Sequence, residues 1–293
     1  MVTVLTAGHV NWDVTLRVDR FPEPDGEASI RSQRQSGGGS AANVATALAG
    51  LEVETGLVGS VGDDENGLLA KRDLEDAGVS VDGLRIVEDA ATSVKYLLVT
   101  ESGAVSVLGN DGVNEAIRAA DVNPERIESA DHVHLTGQRP KTAAEIARVA
   151  TRSGSTVSFD PGRRLGDREY GETLALSDII FANDREIDAM VDADEDVTEF
   201  TEGTVVAKHG EDGGEVHTPS ESFVHSGFEI DSVDTSGAGD AFAAGFLAST
   251  LRTDDAEAAL EYANACGALA ASRKGPRSVP TIDAVDRFLE SRG

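Results

Sequence analysis

The sequence predicts an α/β protein built on one mostly parallel sheet covered by helices on both faces, with a small second sheet set apart from it. Three observations carry this. Short apolar, β-branched runs alternate with alanine-rich helical segments along the chain, the pattern of strands buried on both faces and joined by helical crossovers. Two stretches, over about 13–35 and 93–109, break that pattern: apolar and polar residues alternate and no helical segment intervenes. No repeat, linker or low-complexity tract divides the 293 residues, so 1–293 reads as a single domain.

Taken in order, residues 2–7 (VTVLTA) are apolar but short, without a basic leader or a cleavage site, and read as a first strand and not a signal peptide. Over 13–35, Val14, Leu16 and Val18 alternate with polar residues. An alanine-rich helix follows near 40–50, a buried strand over 55–61 and a helix near 65–77. Over 93–109, Tyr96 and Leu98 carry a second alternating stretch. Strands over 132–135 and 156–160 flank a helix near 141–153. A strand over 179–183 leads into a helix near 184–192, and another strand runs over 204–209. A strand-like stretch over 228–233 precedes helices near 239–250 and 255–272. The two alternating stretches suggest a small antiparallel sheet that acts as a lid; a pair of edge hairpins is the plainer alternative. Ligands of such a main sheet bind at the carboxyl ends of its strands.

Composition limits the function. A formal charge of -28 repels nucleic acid and acidic membranes, so neither is an expected partner. No run of 18 apolar residues exists to span a bilayer. Cys266 is the single cysteine, which rules out an intrachain disulfide and fits a reducing cytoplasm. Lysine occurs only at positions 71, 95, 141, 208 and 274, and the acidity is spread along the whole chain. That pattern suits molar salt, where charges are screened within about 3 Å.

Four motifs carry chemistry. The first is DTSGAGD over 234–240. Gly237, Ala238 and Gly239 let successive backbone N–H groups converge at a helix N-terminus, an anion site. A carboxylate there, Asp240, suits a base that accepts the proton of an attacking hydroxyl. The second is GGGSAAN over 37–43, in which glycines allow close approach of a ligand. It is not G-x-G-x-x-G, and no G-x-x-x-x-G-K-[ST] occurs anywhere, which excludes a P-loop enzyme and disfavours a dinucleotide-dependent oxidoreductase. The third is Asn183 and Glu186, at i and i+3 after a strand; they suit Mg²⁺ held through water, or a plain helix cap. The fourth is Asn11 and Asp13, which share one side of a strand and could bond sugar hydroxyls.

Together these motifs resemble the ribokinase (PfkB) family of carbohydrate kinases, from Gly8 to about Pro280. The resemblance implies a doubly wound α/β fold with a β-lid, ATP as phosphoryl donor and Mg²⁺. It implies Asp240 as catalytic base and Gly237, Ala238 and Gly239 as anion hole. Asn11, Asp13, Gly38, Gly39 and Asn43 match the acceptor site, and Asn183, Lys208, Gly210 and Asn264 the nucleotide site. Glu186 matches the Mg²⁺ motif. Asp234, Ser236, Ala270, Arg273, Gly275 and Ser278 match a monovalent-cation site, for K⁺. A lid with an exposed apolar face suits a homodimer.

Two departures bear on the acceptor. Ser40 stands where ribokinases usually carry Lys, and TGQRP over 136–140 stands where an acidic sugar ligand is usual. Arg139 could instead meet a phosphate, joined by Lys95, Arg31 and Arg34 of the lid; solvated lid charges are the alternative. The expected function is an ATP-dependent kinase of a neutral sugar, then of a sugar phosphate, then of a nucleoside. Outside that class stands a non-catalytic sugar- or nucleotide-binding regulator.

Overall fold

A computed structural model describes residues 3–102, 104–190, 202–273, 275 and 280–292. The chain opens with β1 (Val4–Ala7), β2 (Asn11–Val18), β3 (Ile30–Gly38), α1 (Ser40–Gly50), β4 (Thr55–Gly62), α2 (Glu65–Asp76) and β5 (Ser80–Val87). It continues through β6 (Ser93–Thr100), β7 (Val105–Asn110), α3 (Pro124–Glu128), β8 (His132–Thr136), α4 (Pro140–Ser153), β9 (Thr156–Asp160) and α5 (Gly171–Ala175). It closes with β10 (Ile179–Asn183), α6 (Asp184–Met190), β11 (Thr204–Lys208), β12 (Gly214–His217), β13 (Ser222–His225), α7 (Ala238–Thr250), α8 (Ala256–Ala271) and α9 (Ile282–Glu290).

Nine strands form the main sheet in the order β13-β12-β11-β10-β9-β8-β1-β4-β5. Pairing is parallel from β11 to β5, and β12 and β13 close one edge antiparallel. Chain order reverses at β1, whose neighbours are β4 and β8. Such a switch point opens a crevice at the strands' carboxyl ends. Consecutive residues point to opposite faces: Val4 packs with Val44, Phe181, Phe246 and Leu260 under α1, α7 and α8, and Leu5 with Val133, Ile146 and Phe159 under α4.

The second sheet is β3-β2-β6-β7. It corrects the expectation of an antiparallel lid: its outer pairs are antiparallel, but β2 and β6 in the middle run parallel. Both leave the carboxyl side of the main sheet on successive outward passes, so they share a direction. The sheet also reaches further than 13–35 and 93–109. Asn11 and Gly38 are paired within it, and β7 ends at Asn110. Trp12, Val14 and Val94 bury against α1 and α2, anchoring it.

Other expectations need correction. Residues 228–233 form no strand; Phe228 packs on Phe288, and the amides of Val233 and Asp234 both donate to the Ala271 carbonyl. The stretch is tied to the end of α8 instead of a sheet edge. β5 reads poorly because it is a half-exposed edge strand with charged residues in it. β12, β13, α3, α5 and α9 were likewise not anticipated. Residue 2 and residues 191–192, expected in the first strand and in the helix after β10, lie outside the described residues.

Candidate active site

The site gathers where β1, β8, β9, β10 and β11 end, beneath the N-terminus of α7. Gly237 caps α7 in the left-handed region (φ 76°), which a side chain there would strain. The first helical bond runs from the Ala241 amide to the Gly237 carbonyl, 2.9 Å, so amides just before it face the cleft. Ala238 differs from the expected anion hole: its amide donates to the Thr235 carbonyl at 3.2 Å. Gly239, the next of the expected residues, lies in the first turn of α7. Lys208 Nζ would stand 3.9 Å from a Cβ placed on Gly239, so the ammonium faces the same spot.

Asp240 Oδ2 accepts a 2.7 Å hydrogen bond from Asn43 Nδ2, which joins α7 to α1. Burial pushes the Asp240 carboxyl up to about 7; the Asn43 bond opposes this, Asp160 adds to it, and Lys208 and Lys95 oppose it. A base poised there suits proton abstraction at neutral pH. Asn43 Oδ1 is buried without a protein partner, as is Thr136 Oγ1 at the end of β8. Buried polar atoms are ordinarily hydrogen-bonded, so each is short of one partner.

Register aligns Thr136 with Asp160 and Asn183 with Lys208 along the carboxyl edge. Lys208 donates to Asp160, and both side chains are nearly buried. Glu186 titrates above the ordinary carboxylate range, first because of burial and then because Asp160 is close. Asn183 and Glu186 cap α6 reciprocally, each side chain accepting from the other's backbone amide, at 3.0 and 3.1 Å. The plain helix-cap alternative thus describes their hydrogen bonds. The closeness of the Asp160 charge to Glu186 also fits a nearby divalent cation.

Asn183, Lys208, Gly210 and Asn264 line one cleft of about 640 Å³, with Phe228, Ile230 and Ala271 as apolar wall. Its mouth carries Glu211, Asp212 and Glu229, all exposed. At the opposite side, Asn11 is buried and accepts from Asn114 Nδ2, whose Oδ1 accepts from the Val10 amide at 3.0 Å. Asp13 sits on Gly38 so closely that a Cβ there would come 2.1 Å from its Oδ2. Gly39 caps α1.

Arg139 stands at the start of α4, half-exposed, in a cavity with His9, Asn114, Glu115 and Arg164, and Asn114 also bonds Asn11. None of the expected cations of the second sheet lines that cavity. Lys95 is level with Asp13 and acts on Asp240, Arg31 acts on Asp19, and the Arg34 guanidinium packs on Gly275.

Of the expected cation site, Asp234 accepts from the Ser236 and Gly275 amides, both at 3.0 Å, and the Ala270 carbonyl accepts from the Arg273 amide at 3.2 Å. Ser278 lies outside the described residues. Sequence reasoning missed Asn114, Thr136 and Asp160. A carboxylate closing a buried strand was the available signal for Asp160; nothing local marks Asn114.

The family model for pfkB family carbohydrate kinases matches residues 1–282. The chain belongs to that family. It is a carbohydrate kinase, a phosphotransferase that acts on a sugar hydroxyl. It is 67% identical over 294 residues, covering 100% of this chain and 99% of the other, to an ATP-dependent ribose-1-phosphate kinase of Halopiger xanaduensis. A nucleoside kinase of Methanothermobacter thermautotrophicus is 29% identical, covering 99% of this chain and 96% of its own. Ribokinase of Arabidopsis thaliana, solved with ribose and ATP, superposes with a TM-score of 0.88 at 25% identity, covering 99% of each chain.

Proposed function

We propose that this kinase transfers the γ-phosphoryl group of ATP to a hydroxyl of ribose 1-phosphate. The observation that carries the reading is the full-length 67% identity to an enzyme of that activity. Of the acceptors open to the sequence, the phosphorylated sugar thereby moves ahead of the neutral one.

Asp240 takes the acceptor's proton as the hydroxyl oxygen bonds to the γ-phosphorus and the bond to the β,γ-bridging oxygen breaks, releasing ADP. The amides at the α7 N-terminus and Lys208 face the charge that develops on the transferred group. Asn43 orients the Asp240 carboxylate. Asn11, Asp13, Asn43 and Thr136 hold the acceptor. Asp160, Glu186 and Asn183 would hold Mg²⁺ through water, and the ion would neutralise phosphate charge. The β2, β3, β6 and β7 sheet serves as a lid that excludes water. Its exposed Ile30, Val105, Val107 and Leu108 suit a second copy of the chain in a homodimer. Asp234 and the loop bearing Gly275 suit K⁺, which would steady the anion hole. The -28 charge suits a salt-rich cytoplasm.

An ADP-release assay with ribose 1-phosphate, ribose, ribose 5-phosphate and nucleosides tests this. Ribose 1-phosphate should give the highest kcat/KM. Preference for ribose or a nucleoside would refute it.

A further inference from the structure

Beside the proposed acceptor site lies a cavity of about 270 Å³, of which the sequence marked only Arg139, lined by His9, Asp111, Asn114, Glu115, Arg139 and Arg164. Its residues come from the end of β1, the loop after β7, the start of α4 and a 3-10 turn over Gly162–Asp167. Asn114 is shared with the acceptor site, since it also bonds Asn11.

Glu115 is the pivot. Arg168 grips both its oxygens at 2.7 and 3.2 Å and donates to the Gln138 carbonyl, while His9 stands 3.4 Å away and Arg164 3.2 Å. The His9 ring and then Arg168 hold the Glu115 carboxyl down at about 2, so its negative charge is fixed. Arg168 is thus spent on Glu115. Arg164 turns a single nitrogen, Nη2, to both oxygens of Asp111, each at 2.9 Å, while its Nη1 donates to Glu115, but Asp111 is 74% exposed, and such a pair is cheap to exchange. Arg139 has only a 3.7 Å contact to Glu115 and is 56% exposed.

Three guanidiniums meet two carboxylates here, which leaves positive charge over before His9 is counted. That is a strong local departure in a chain of net charge -28. Arg139 also caps α4 with no side-chain cap bond and no acid in the first turn, so the positive end of the helix opens nearby. A pure structural clamp would need neither the surplus nor the open volume.

We propose that this cavity binds the phosphate group that the acceptor already carries, with Arg164 and Arg139 as its principal ligands and His9 beside them. The inference rests on the sugar-phosphate reading above. Arg164 keeps Nη1 on Glu115, and its Nη2 releases the exposed Asp111 carboxylate and takes the phosphate dianion, a stronger charge-assisted partner. Arg168 and Glu115 keep the 3-10 turn and the loop after β7 in place and do not touch the ligand.

The test uses the full-length enzyme with Arg164→Gln and, separately, Arg139→Gln, the latter at a site exposed enough to leave folding unaffected. Each should raise KM for ribose 1-phosphate at least about tenfold, the loss of one charge-assisted bond. KM for ATP should stay within twofold. Unchanged KM for ribose 1-phosphate in both variants overturns the proposal, as does an equal rise in KM for ATP. Failure of the acceptor reading looks different: the wild-type enzyme itself would ignore ribose 1-phosphate, and the pocket assignment would fall with it.

Discussion

The proposed donor end of the cleft draws its anion site and base from one stretch, 234–240, backed by Lys208 and Asp160 at the ends of β11 and β9, the two strands that flank β10. The proposed acceptor end draws His9, Asn114, Arg139 and Arg164 from four separate segments. The two ends also differ in charge. Acids rim the donor mouth, whereas guanidiniums gather at the acceptor cavity. Transfer itself needs amides fixed to a fraction of an ångström, and a helix start supplies them from contiguous residues. Recognition of a phosphate needs only a surplus of cationic donors within reach, which any loops can bring.

The sharpest test of the donor end is Asp240→Asn. Its turnover should fall at least ~10²-fold, the usual size of a general-base effect, with little change in nucleotide affinity. Turnover and ATP binding are measured on the same purified variant. Near-normal turnover would remove Asp240 from the chemistry and dissolve the contrast between the ends.

Next comes Lys208→Met, which leaves Asp160 and Glu186 facing each other in a nearly buried place. Losing one partner of such a pair costs about 3–5 kcal/mol. The thermal midpoint should drop, and Asp160→Asn in the same chain should recover most of the loss. A midpoint unmoved by Lys208→Met would mean that the pair is solvated and not a pillar of the donor end.

The same contrast governs what was legible in advance. The DTSGAGD motif announced Asp240 and the helix start, because those residues are contiguous and their chemistry is local. Arg139 was visible as a displaced cation, but its partners were not. Arg164, Arg168 and Glu115 look like ordinary surface charges until the switch at β1 brings the chain segments together. The second sheet was legible from its period of two, yet strand direction was not, because side-chain alternation is the same in parallel and antiparallel strands. Asp160 was read only as the end of a strand, since nothing local says that Lys208 lies opposite.

A pH profile separates the ends by a smaller but cleaner effect. Asp240 must be ionised to act, and its carboxyl sits near 7. At saturating substrates, kcat should fall about tenfold per unit below that value. Stability carries the opposite sign. Burial raises the folded-state value, so the stabilising contribution is full below the unfolded-state value of about 3.9 and is lost as pH rises through 7. Asp240→Asn should therefore raise the thermal midpoint at pH 8 more than at pH 4. A flat kcat profile from pH 6 to 8 would place the base elsewhere.

The smallest expected effect tests charge at both ends at once. Under the proposed binding modes ATP would enter past the exposed Glu211, Asp212 and Glu229, whereas the acceptor's phosphate would meet Arg139 and Arg164. At 0.1 M KCl the screening length is about 10 Å, so most of the -28 charge is already hidden and the nearest groups decide. Raising KCl to 1 M shortens that length to about 3 Å. The repulsion at the donor mouth then fades and KM for ATP should fall about two- to fivefold, while the attraction at the acceptor cavity weakens and KM for ribose 1-phosphate should rise by a similar factor. Both constants are measured across the salt range at fixed Mg²⁺, with stability followed in parallel, since a chain this acidic should gain stability over the same range. If the two constants move together, one global field governs the cleft and the local charges of its two ends do not. If they diverge in wild type but Arg164→Gln flattens the salt dependence for ribose 1-phosphate alone, the divergence is traced to that guanidinium.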